Sequence, residues 1–136
     1  MGRLLQHLQD PARSGVYRVE RPDEVLDATR AGHPRLTRIS LASVLDKNEL
    51  LARLARGLQF PAWFGGNWDA WFDCLTDLGW HAPAPGYVLV LRRALGMHRT
   101  APETLDTALA IVEDAARVWT DRGITLRAFI DLEGNG

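Results

Sequence analysis

A small α/β fold, with a parallel sheet covered by helices, is what this sequence predicts, and three observations carry the expectation. Segments with strand character alternate along the chain with segments of helical periodicity, the order that builds parallel crossovers. One of the strands, YVLVL at 87–91, is apolar without alternation, as a strand buried on both faces should be. The longest periodic segment, TLDTALAIVEDAARVWTDRG at 104–123, places Leu105, Leu109, Val112, Ala116 and Trp119 on one side and stops at Gly123. With 136 residues, 46% hydrophobic and 24% charged, the chain is most simply one domain with a core of its own.

In chain order, GVYRV (15–19) alternates as a short strand. PDEVLDATRAG (22–32) reads as a short helix, with Pro22 in its first turn and Gly32 at its end. LTRISL (36–41) is a strand by its bounds and its β-branched residues. A helix is expected from Ser43, with Leu50, Leu51, Leu54 and Leu58 on its apolar face and Ser43 followed by Asp46 as its cap. Pro61 and the Gly65-Gly66 pair mark a turn, and Asn67 is suited to cap a helix from Trp68 to Leu78 that Gly79 ends. TLRAFIDL (125–132) is the last strand, and EGNG a frayed tail. The strands near 37–41, 87–92 and 125–131 are expected to pair in parallel through right-handed crossovers, with the first of them in the middle.

Composition excludes several function classes. A net charge of −1 marks neither a nucleic-acid nor a membrane binder. The lone Cys74 leaves no disulfide framework and fits a reducing compartment. No apolar run approaches a membrane span and MGRLLQHLQDPARSG is too polar for a signal peptide, so a cytoplasmic protein is expected. His7, His33, His81 and His98 show no metal-ligand spacing, and no phosphate-cradling glycine motif follows a strand, so neither metal nor cofactor is expected.

One stretch departs from this even background. FPAWFGGNWDAWFDCLTDLGW, residues 60–80, holds four of the five tryptophans and three aspartates but no lysine or arginine. Residues 1–58 carry ten basic and seven acidic side chains, and residues 81–136 carry six and seven. At roughly 100° per residue, Asp69, Asp73 and Asp77 advance about 40° each and share one stripe of the helix. The apolar positions Trp68, Ala70, Trp71, Phe72, Cys74, Leu75 and Leu78 cover about 200° of the wheel, wider than the stripe of about 100° that a one-sided helix needs. If Ala70, Trp71, Cys74, Leu75 and Leu78 face the core, Trp68 and Phe72 lie at its edge beside the aspartates. Aromatics supply contact area and aligned carboxylates supply charge complementarity, which suits a protein-binding surface. The alternative is an aromatic cluster that belongs to the core, with Asp69 placed by the helix dipole. The dipole explains Asp73 poorly and opposes Asp77.

The same stretch resembles the signature of the barstar family, intracellular inhibitors of an extracellular bacterial ribonuclease. Pro61, Trp63, Phe64, Gly65, Asn67, Asp69, Ala70, Asp73, Cys74, Leu75 and Thr76 match in register without a gap, and the likeness extends from about Leu36 to Asp131. It implies a three-layer α/β fold with a three-stranded parallel sheet, and a helix and preceding turn that plug a nuclease active site. By position, Asp69 and Asp73 become the principal acidic contacts, with Trp63, Gly65, Asn67, Trp68, Phe72 and Thr76 around them and Asp77 a turn further on. The implied partner is a basic ribonuclease. Direct contact with nucleic acid is disfavoured because the richest aromatic surface is acidic and would repel phosphate; no membrane contact is expected, and the free protein is expected to be a monomer. Residues 36–136 form the barstar-like domain on this reading. Residues 1–35 are an N-terminal extension, a short strand and helix packed on the domain, whose strand can extend the sheet at one edge.

The sequence departs from the family pattern in three places. Val118 and Arg122 stand where the resemblance leads one to expect acidic residues, with Asp121 nearby; the loop DLGWHAPAPG is longer; and residues 1–35 have no counterpart. Two other functions compete. Cys74 and His81 form the one close Cys/His pair, but no acid orients the histidine and the cysteine falls on the helix's apolar side, where free cysteine behaves as a small hydrophobe. A binding module of the same family whose target is not a ribonuclease is the other alternative.

Overall fold

The computed structural model describes residues 15–19, 34–60, 66–77 and 86–132. Among these residues four strands, β1 (Gly15–Arg18), β2 (Arg35–Ser40), β3 (Gly86–Arg92) and β4 (Thr125–Ile130), form one sheet. Four helices accompany them: α1 (Lys47–Gly57), α2 (Trp68–Thr76), α3 (Leu95–Thr100) and α4 (Pro102–Asp121).

The sheet runs β1-β4-β3-β2 and every pairing is parallel. The parallel pairing is as expected, but β3, not β2, lies between the other two predicted strands. The reason is chemical. β3 is buried on both faces, with Tyr87, Leu89 and Leu91 in the main core and Val88 and Val90 grouped with Phe129 on the other side. β2 leaves Leu36, Arg38 and Ser40 exposed on one face, which an edge tolerates and a centre does not. A central RLTRIS would bury the Arg38 charge at considerable cost. GVYRV does extend the sheet: β1 pairs with β4 at the opposite edge, and Tyr17 stacks on Phe129 with ring centroids 5.5 Å apart.

Helices build the main core against one face of the sheet. α1 packs on β2, gathering Leu50, Leu51 and Leu54 around Ile39. Gly57 permits that approach, since a Cβ there would lie 2.5 Å from Ile39 Cγ1. α4 covers β4 and β1 with Leu105, Ala108, Val112, Ala115 and Ala116, while Leu109 is only half-buried. It starts two residues earlier than expected, because Pro102 fits the first turn where no N–H is needed, and it stops at Gly123, whose φ is +77°.

One local expectation is corrected and one helix is new. Asp46, not Ser43, caps α1: its backbone is extended and its carboxylate accepts from the Glu49 N–H at 2.8 Å. Ser43 instead turns the chain at φ +66°. α3 was not anticipated. It has no side-chain cap and contains Gly96, so local sequence favours it little, and burial of Met97 holds it in place. The helix expected at 22–32 lies outside the described residues.

Candidate protein-binding surface

α2 begins as its sequence dictates. Asn67 is extended (φ −133°, ψ 174°) and its side-chain oxygen accepts from the Ala70 N–H at 2.8 Å, with Gly66 at φ +69° turning the chain before it. Asp69 in the first turn is favoured by the helix dipole. Trp71, Cys74 and Leu75 are fully buried, while Trp68, Phe72 and Thr76 are half-buried along the rim. Ala70 is half-buried too, so the buried stripe is narrower than expected. Asn67, Asp69, Asp73 and Asp77 are exposed. Aromatic rim and acidic stripe therefore run side by side, as the helical spacing required. Trp63 and Gly65, the other candidate contacts, lie outside the described residues, as do Leu78 and His81.

The seat of α2 is α4. The Trp71 indole donates to the Ala108 carbonyl at 3.2 Å, anchoring the first half of the helix. At the other end, helix carbonyls that have no intrahelical partner need donors. Trp119 donates its indole N–H to the Leu75 carbonyl at 2.8 Å, and Arg122 donates from Nη1 to the Thr76 carbonyl at 2.7 Å. The Thr76 hydroxyl turns back onto the Phe72 carbonyl at 3.0 Å. α2 has no basic residue in its last turn, so Arg122 of the neighbouring helix end supplies the cation that the dipole favours there.

Two cations lie near the ends of the acidic stripe, each on an aromatic ring. Lys47 Nζ is 5.2 Å from the centre of the Trp68 ring, and the Arg122 guanidinium is 4.8 Å from that of Trp119. Sequence reasoning did not foresee Lys47 here, and noted Arg122 only as a change of charge. Neither Asp69 nor Asp73 is ion-paired among the described residues, where the side-chain pairs include Arg92–Asp131 and Arg117–Asp114. Burial foremost, then the Asp73 and Asp77 carboxylates, push the Cys74 thiol up from 9.0 to about 11. A thiol so protonated is a poor nucleophile, and it packs as core. Among the described residues no group of three or more His, Cys, Asp or Glu could hold a metal ion, and no helix is long and apolar enough to cross a membrane.

Compared with curated proteins one at a time, the chain matches none. As a family, the comparison is definite. Residues 35–131 match the family described as Barstar (barnase inhibitor), a span that runs from the first residue of β2 to just past β4 and encloses α2. The chain belongs to the barstar family.

Proposed function

We propose that this protein inhibits a basic ribonuclease by inserting α2 and the turn before it into the nuclease's active site, and that it does so inside the cell, as a monomer when free and without catalysis of its own. One observation carries the reading: Asp69 and Asp73 are exposed and without ion-pair partners among the described residues, beside the half-buried Trp68 and Phe72. A ribonuclease holds phosphate with cations, and two carboxylates one helical turn apart, about 6 Å along the axis, present the same charge to those cations. The family description, barnase inhibitor, points the same way. The rim aromatics supply the water-excluding contact that makes such charge pairs effective. The test is RNA cleavage by barnase titrated with the purified chain. The wild type should stop cleavage near one equivalent, and the Asp69→Ala/Asp73→Ala protein should need at least a hundredfold more. A double variant as effective as the wild type sinks the proposal.

A second reading keeps the same surface for a partner that is not a ribonuclease. The cation Arg122 at the end of α2 favours it, since that group opposes a uniformly basic target. A partner that binds through Asp73 while RNA cleavage continues unimpeded would establish it.

A further inference from the structure

We infer that Arg122 determines which partners the α2 surface admits: it rejects basic partners whose cations extend beyond Asp77 and favours one that sets a carboxylate against the guanidinium. The inference rests on the proposed use of α2 as the binding surface. Arg122 is exposed, and two contacts orient its guanidinium. Its Nη1 is committed to the Thr76 carbonyl at 2.7 Å, and its guanidinium lies over Trp119, which is itself buried and bonded to the Leu75 carbonyl. Swinging the guanidinium away would leave the last carbonyl of α2 without that donor and break the contact with the ring. An approaching protein therefore meets a positive charge placed at the C-terminal end of α2, where the helix dipole favours it.

At the other end Lys47 lies over the Trp68 ring, a looser contact with no hydrogen bond to a helix carbonyl among the described residues. From Asp69 to Asp77 the stripe is about 12 Å long at 1.5 Å per residue. Screening at physiological salt acts over about 8 Å, so a partner cation placed past Asp77 still feels Arg122. Along α2 the charges run from Lys47 at Trp68, through the exposed Asp69 and Asp73, to Arg122 at the Thr76 carbonyl. Its complement is a basic patch of about that length with an anionic group beyond it. An arginine has five N–H donors, and their fork matches a carboxylate, which identifies the group expected opposite Arg122.

Barnase serves as the probe, because a site that holds RNA phosphate must itself be cationic. Its affinity is measured by calorimetry and its association rate by stopped flow, for the wild type, Arg122→Glu, Arg122→Gln and Asp73→Ala, each checked for an intact fold by thermal unfolding. Arg122→Gln removes the charge and keeps a polar side chain. Arg122→Glu should bind at least about tenfold more tightly than the wild type, mainly through faster association, with the gap closing near 1 M salt. Arg122→Gln should fall between them, and it decides the matter if Arg122→Glu does not fold. If neither variant binds more tightly than the wild type, the inference is overturned and Arg122 is only a latch on α2. The reading beneath it is judged separately. Loss of wild-type binding in Asp73→Ala preserves that reading, and undiminished binding removes it as well.

Discussion

The indole N–H of Trp119 and the carbonyl of Leu75, 2.8 Å apart and buried, join the last turn of α4 to the last turn of α2. A helix end that carries an acidic surface is thereby held by a donor from another element. Replacing Trp119 with Phe keeps most of the ring and removes the donor, leaving a buried carbonyl unsatisfied. The expected cost is about 1–3 kcal/mol in urea unfolding, with additional loss from the smaller ring. Unchanged stability would mean that water replaces the indole and that the bond does not fix α2.

Core and rim should separate in mutagenesis. Trp71 and Leu75 are fully buried, so truncation of either to Ala should cost roughly 2–5 kcal/mol through cavity formation. Trp68 and Phe72 are half-buried, so their truncation should cost less stability and more barnase binding. Chemical denaturation of the four variants, paired with calorimetry, measures both quantities.

Cys74 makes stability depend on pH in a defined direction. Its folded pKa of about 11 lies above the ordinary value of 9.0, so the folded state holds this proton more tightly. The corresponding stability is fully present below pH 9 and is lost as pH rises toward 11. Urea unfolding across that window should show a steeper decline for the wild type than for Cys74→Ala. Native protein at pH 8 should also resist a thiol reagent that reacts readily once the chain is unfolded.

Salt should distinguish the three aspartates. If α2 enters a cationic site, association slows as screening shortens toward roughly 3 Å near 1 M salt. Asp73→Ala should weaken inhibition most and Asp69→Ala next, chiefly through faster dissociation, because their removal leaves partner cations buried and unpaired. Asp77→Ala should act mainly on the association rate. Stopped-flow traces at several salt concentrations resolve these effects, and identical salt slopes for all three variants would contradict the ordering.

Much of α2 was legible in its residues. The Asn67 cap, the buried Trp71, Cys74 and Leu75, the rim of Trp68 and Phe72 and the exposed acidic stripe all follow from helical spacing, because a short range of sequence determines each of them. Strand order was less legible, although the apolar run of β3 against the polar RLTRIS already held the clue that β3 is the more central. The cap at Asp46 was misread because Ser43 and Asp46 fit the same pattern, and only the backbone angles separate them. What sequence reasoning could not reach were contacts between distant residues. Arg122 meets Thr76, and Lys47 meets Trp68, only after several elements have packed, and no local periodicity encodes such a meeting.

The order of elements also governs when the acidic face comes into being. α2 belongs to the crossover from β2 to β3, yet the donors that hold its end come from α4 and the residue that caps it, in the crossover from β3 to β4. The two crossovers interlock. A nascent chain that has paired β2 with β3 but has not yet made α4 lacks a seat for α2, and its stripe has no settled geometry. Non-local closure of this kind is slow compared with helix formation. Competence to bind should therefore arrive late in folding, together with the docking of α4, so that capture of a partner reports a finished chain.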